Sequence, residues 1–198
     1  MQKWRIVLGG IVGILAGCSS QPEQVSNTYL LPSSGQMTVP AISTNQPLLV
    51  VRPVEMANHL SGNGLVYQLS ETEVVQAQQN LWAESISEQL TRRINHDLRQ
   101  KQTKYWSTEL TPALATSGVL RLQVKVSQFN GHYSGVAKVS GEWLLLDGNG
   151  ALQGVYPFSY QVPLEQDGYD AQVKALSEAI NRLTSQMAQR LSVYSSNT

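Results

Sequence analysis

The chain has 198 residues, 14 Lys and Arg against 14 Asp and Glu, and a single cysteine, so its formal net charge is zero. The absence of a basic surplus argues against a nucleic-acid binder, and a lone cysteine excludes an internal disulfide or a CxxC-type metal or redox pair. A chain this long buries around 70% of its unfolded surface in one core, and no second composition boundary divides it.

The first residues carry only two charges, Lys3 and Arg5, and an uncharged apolar run follows from Ile6 to Leu15. This is the layout of a signal peptide. As a helix, the run measures about 15 Å against a hydrocarbon core of roughly 30 Å, so it is too short to span a bilayer. The sequence Leu15-Ala16-Gly17-Cys18 resembles the lipobox of bacterial lipoproteins. That resemblance implies a diacylglyceryl group on the Cys18 sulfur, cleavage before Cys18, and acylation, as with palmitate, of the new amino group. At roughly 0.8 kcal/mol per buried CH2, two or three acyl chains anchor the protein on the order of tens of kcal/mol. In Gram-negative lipoproteins an aspartate after the cysteine commonly retains the protein in the inner membrane. Ser19 stands there instead, which implies the periplasm-facing leaflet of the outer membrane.

Without residues 1–17 the balance is 12 basic to 14 acidic residues, which leaves no polybasic membrane patch. Residues 18–28 read as the lipidated cysteine and a polar tether, whose SSQPEQVSN stretch reaches at most about 30 Å. Residues 29–195 read as one domain and 196–198 as a tail.

Within the domain, Thr28 to Pro32 suggests an entering strand and SSGQMTVPAISTNQ a loop. The run Leu48 to Val51 suits a strand buried on both faces. Two short strands follow around Ser70 and Glu71. From Asn80 the spacing of Trp82, Ile86, Leu90, Ile94 and Leu98 predicts an amphipathic helix of about five turns, with Trp82 as a core anchor in its first turn. KYWSTEL returns as a strand.

Strict alternation then sets Leu120, Leu122, Val124 and Val126 opposite Arg121, Gln123, Lys125 and Ser127, and a second alternation runs from Ala137 to Leu145. With turns at NGHYSG (130–135) and DGNG (147–150) and a third strand in LQGVYPFSYQV, this is an antiparallel meander. The chain closes on a long amphipathic helix marked by Val173, Leu176, Ile180, Leu183, Met187 and Leu191, with Asp170 placed to cap it. The expected fold is α/β: a layered mixed sheet with an antiparallel meander and two long helices packed on it.

No reaction chemistry is legible. His59, His96 and His132 fall in three separate segments without metal-ligand spacing, and HExxH, GxSxG and GKS/T are absent. His96 is expected on the solvated helix face, and turn composition accounts for His132. Glu71 and Glu73 would share a strand face, and Asp167 and Asp170 flank a helix start. Solvation and capping suffice for all four, so the reading is a non-enzyme with no catalytic residues, no metal and no cofactor beyond the lipid on Cys18.

Several stretches together resemble the ABC-type transport auxiliary lipoproteins: Gly62-Asn63-Gly64 leading to Val66-Tyr67, Asn80-Leu81-Trp82-Ala83 at a helix start, Phe129-Asn130-Gly131 with Gly141-Glu142-Trp143, and Asp167-Gly168-Tyr169-Asp170. The likeness runs from about Tyr29 to Leu191. It implies an α/β sandwich akin to the amino-terminal domain of TolB. It also implies an outer-membrane lipoprotein that docks an MCE-domain conduit protein for intermembrane lipid transport, self-associates into a homo-oligomeric ring and supports membrane integrity. Candidate partner-interface residues are Asn63, Tyr67, His132 and Tyr133, together with sheet edges. Two rival readings share the lipobox. A peptidoglycan-synthase activator would need a long tether, and a lipid-binding periplasmic carrier would need a pocket that retains phospholipid.

Overall fold

The computed structural model describes residues 25–33, 45–115 and 118–194. The signal peptide, Cys18, most of the tether, most of the 33–46 loop and the tail lie outside the described residues. The alternating segments form the expected meander: β7 (Leu120–His132), β8 (Val136–Leu146) and β9 (Leu152–Pro163), each antiparallel to the next. The DGNG turn closes as its composition requires. Asp147 Oδ1 accepts from the Asn149 and Ala151 amides, both at 2.9 Å, and Gly150 takes the left-handed backbone (φ 84°).

Three short strands share the other edge of β7, all parallel to it. β2 (Leu48–Val51) pairs at Leu120, β3 (Glu55–Met56) at Lys125 and β4 (Gly64–Gln68) at Gly131. β6 (Trp106–Glu109) extends the sheet beyond β2. β5 (Val74–Trp82) pairs antiparallel with β4, and β1 (Asn27–Tyr29) lies parallel on β5, so the mixed sheet has nine strands. β1 begins one residue before the expected entering strand, with Asn27 paired to Asn80.

Helices α1 (Ile86–Lys101) and α2 (Tyr169–Val193) cover one face of this sheet. Ile86, Leu90, Ile94 and Leu98 of α1 and Leu176, Ile180, Leu183, Met187 and Leu191 of α2 are buried in a single core. Leu122, Val124, Val139, Trp143 and Leu145 of the sheet lie in the same core. Both helices show the 3.6-residue stripe their spacing predicts.

The helix predicted from Asn80 starts six residues later, after Ser85. Asn80 to Trp82 are instead the last residues of β5, held between Tyr29 on one side and the Gly64 end of β4 on the other. Trp82 falls four residues before Ile86, which mimics a helical stripe, but strand pairing on both edges decides the backbone. The indole is still a core anchor, with its ring 6.0 Å from Phe129. At α2 the residue before the first turn is Gly168 (φ 109°), and Asp170 sits inside that turn in an ion pair with Lys174 at 2.7 Å. It does not cap the helix.

A buried polar cluster locks α1 onto α2. Asp97 Oδ1 accepts from Arg93 Nε at 2.9 Å, and its Oδ2 accepts from Thr184 Oγ1 at 2.7 Å; the Asp97 side chain has no solvent exposure. Arg93 also donates to Ser177 Oγ at 3.1 Å and to the Pro32 carbonyl, while the Leu31 amide donates to Gln89 Oε1 at 2.7 Å. The segment that follows β1 is thereby strapped across both helices. Removing one member of a buried pair strands the other charge, so Asp97→Ala is expected to cost about 3–5 kcal/mol in urea unfolding. A loss under about 1 kcal/mol would show that the cluster does not hold the helices together.

Candidate functional site

Cys18 lies outside the described residues. Of the four candidate interface residues, the fold brings three together. β4, β7 and β9 end, and β5, β8 and α2 begin, at one rim of the sheet, and Tyr67, His132 and Tyr133 meet there. Tyr67 Oη donates to the His132 carbonyl at 3.1 Å, and the Tyr133 amide donates to the Gln68 carbonyl at 2.9 Å. Asn63 is at the opposite end of β4, where its carbonyl accepts from the Trp82 amide at 2.7 Å.

The 130–135 turn is shorter than its composition suggests. Asn130 to His132 remain in β7, paired with Lys138 to Val136, and only Tyr133 to Gly135 turn. His132 is buried, with its ring 4.1 Å from that of Tyr133. Its Nε2 lies 2.9 Å from Lys138 Nζ and its Nδ1 lies 2.7 Å from Ser134 Oγ. An ammonium only donates, so Nε2 accepts from Lys138, and Ser134 meets Nδ1 through both its hydroxyl and its amide, the amide donating at 3.2 Å. Burial, and then the Lys138 charge, hold the imidazole below its ordinary pKa.

A cavity of about 310 Å³ opens beside this cluster, lined by Tyr67, Leu164, Asp167, Tyr169 and Gln172. Two of its lining residues close tightly on Gly131, where a Cβ would stand 2.5 Å from the Tyr67 ring and 2.6 Å from Gln172 Oε1. Gln172 Nε2 in turn donates to the Val66 carbonyl at 2.9 Å, which ties α2 to β4. Leu69, Val74, Val75 and Tyr133 are all at least one-third exposed at the same rim, with Val75 opposite Tyr67 and Val74 opposite Gln68. Sequence reasoning missed these three aliphatic residues. The signal was the Val74-Val75 pair: consecutive strand residues face opposite sides of the sheet, so two adjacent valines depart from the alternation of apolar and polar residues.

Glu71 and Glu73 are not on a strand. They belong to the turn between β4 and β5, where Ser70 Oγ accepts from the Thr72 and Glu73 amides at 3.4 and 3.1 Å. His96 is half-buried, not solvated, and its Nε2 is enclosed with no hydrogen-bond partner among the described residues. A larger cavity, about 570 Å³, follows the bulge between β7 and β8 and contains an exposed Lys125–Glu142 pair at 3.6 Å. Among the described residues no group of three His, Cys, Asp or Glu is arranged to hold a metal, and no helix is long and apolar enough to cross a membrane.

The family model for the ABC-type transport auxiliary lipoprotein component matches residues 29–188, and the chain belongs to that family. It is 35% identical over 191 residues to the "Intermembrane transport lipoprotein PqiC" of Escherichia coli (strain K12), covering 96% of this chain and 98% of that one. A crystal structure of an uncharacterized protein is similar at TM-score 0.71 and 29% identity, over 84% of this chain and 99% of the other. Protein XCC0632 from Xanthomonas campestris shares the fold at TM-score 0.68 and 14% identity, over 84% and 95% of the two chains.

The lowered His132 pKa gives stability a pH dependence of definite sign. Below about 6.5 the unfolded chain binds a proton that the folded imidazole refuses, so stability falls as pH drops through that value toward the folded pKa. Lys138→Met is expected to raise the His132 pKa in an NMR titration and to shrink this loss without abolishing it, because burial is the larger cause. An unchanged titration would mean that the ammonium does not face Nε2.

Proposed function

We propose that this chain is the outer-membrane-anchored, non-catalytic member of an MCE-type intermembrane lipid transport system. In this reading it docks the conduit protein and so supports membrane integrity. The observation that carries the reading is the match to an intermembrane transport lipoprotein over nearly the full length of both chains. The family assignment and a surface with exposed apolar residues support it further.

The physical division of labour is as follows. Lipid on Cys18 holds the protein at the periplasm-facing leaflet, and the residues between Cys18 and β1 set its height within about 30 Å. The α/β domain, 29–195, presents surfaces to the conduit protein and to further copies of itself in a ring. Its sequence has no phosphate-binding loop with which to turn over nucleotide. The energy for transport then comes from another component. Asn63, Tyr67, His132 and Tyr133 are the proposed contact residues, with the last three acting from one rim.

In-cell crosslinking of the native protein, followed by purification from outer-membrane fractions and mass spectrometry, tests this. An MCE-domain protein together with self-crosslinks is the expected capture. A peptidoglycan synthase with no MCE-domain protein would overturn the transport reading.

A further inference from the structure

The rim that carries Tyr67, His132 and Tyr133 differs from the rest of the surface in charge as well as in polarity. Glu71 and Glu73 stand in its β4–β5 turn, and Glu165, Asp167 and Asp170 stand in and after the β9–α2 loop. Five carboxylates thus face two lysines, Lys138 and Lys174. Lys138 is taken up by His132, and Lys174 by Asp170 at 2.7 Å. Glu71, Glu73 and Asp167 form no ion pair among the described residues. These free carboxylates outweigh the positive end of the α2 dipole, which counts for about half a charge.

The same rim holds Leu69 (44% exposed), Val74 (47%), Val75 (36%) and Tyr133 (50%); Val75, paired with Tyr67, lies on the sheet face that carries a cavity of about 310 Å³, and Val74, paired with Gln68, on the other. Backbone bonds join these parts into one surface: Tyr133 to Gln68 and Leu69 to Glu73, both at 2.9 Å, and Leu164 to Gly135 at 2.9 Å. Other exposed apolar residues lack this setting. Leu152 and Val155 lie on β9 with no unpaired acidic cluster beside them, and Leu30 lies on the strap. Exposed apolar residues set beside charge of one sign mark a protein-docking rim.

We infer that this rim binds a protein segment in which an apolar or aromatic side chain is flanked by lysine or arginine. The apolar group enters the cavity between Tyr67, Leu164 and Tyr169, and the cations face Glu71, Glu73 and Asp167. Charge complementarity selects this occupant: an acidic segment, an anionic lipid headgroup or a second copy of the equally acidic rim would each meet repulsion. The cavity is near the lower end of the 300–1,000 Å³ seen for ligand pockets, which suits a side chain or two rather than a whole phospholipid.

The inference rests on the docking reading above and gives the chemistry of its contact. The test places a photo-crosslinking residue at Tyr133, and separately at Ser159 on the open face of β9, in the full lipidated chain in cells. The crosslinked peptides are identified by mass spectrometry. Position 133 is expected to capture the MCE-domain protein through a segment with Lys or Arg beside apolar residues. In the Glu71→Lys, Glu73→Lys background the yield is expected to fall at least tenfold. Both glutamates are exposed turn residues, and an unchanged thermal melting temperature in that background confirms an intact fold. Capture of the MCE-domain protein from position 159 but not 133, self-crosslinks alone at 133, or a yield indifferent to the charge reversal would overturn the rim assignment and leave the docking reading standing. Failure to capture any MCE-domain protein from either position would overturn both.

Discussion

Thirteen residues of β7 carry the pairing on which the rest of the domain depends. One edge bonds β8 along its whole length, and the other is divided among β2, β3 and β4. A strand this long twists, and the register shift between Val126 and Gln128 absorbs the strain by leaving Ser127 as an extra residue. The shift also changes which side chains face the helices. Before it Leu122, Val124 and Val126 are buried; after it Phe129 and Gly131 take over that face. Gly141 opposite Val126 permits the approach, since a Cβ there would stand 2.0 Å from the Lys125 carbonyl oxygen. The far end of the same strand then delivers Gly131 and His132 to the rim, where the absence of a side chain at 131 lets Tyr67 and Gln172 close together.

The parts of this architecture legible in sequence are those whose side chains face one environment throughout. Alternation along β7 and β8 and the long stripe of α2 reflect a continuous core on one side and solvent on the other, so period alone specifies them. Trp82 shows where period misleads. It ends a strand and sits four residues before a helix, and only its pairing with Tyr29, 53 residues away, distinguishes the two. Glu71 and Glu73 read as strand because the turn between β4 and β5 lacks Gly or Pro; Ser70 builds it through its hydroxyl instead. NGHYSG reads as one turn because Asn and Gly favour turns, yet Gly131 is there for close packing within a strand. The candidate interface was partly legible: Tyr67, His132 and Tyr133 were singled out from separate segments, but their meeting depends on a parallel pairing of β4 with β7 that no local signal encodes. Asn63 was chosen beside Tyr67 in sequence and falls at the other end of the same strand.

Several buried polar groups of the domain hold its elements together: Asp97 joins the helices, Gln172 joins α2 to β4, and Arg93 clamps the strap after β1. That strap fixes the chain that leaves β1 against the helix pair. Membership in the transport auxiliary lipoprotein family fits such a body. On the account proposed, the surface binds and the lipid anchors, and neither requires an enclosed chamber.

The sharpest test of that account is native mass spectrometry of the full-length protein released gently from outer membranes. The account predicts a mass that includes a protein partner and the lipid covalently attached to Cys18, with no further phospholipid bound to the domain. A protein free of partner that retains one phospholipid per chain would contradict it and make the domain a carrier.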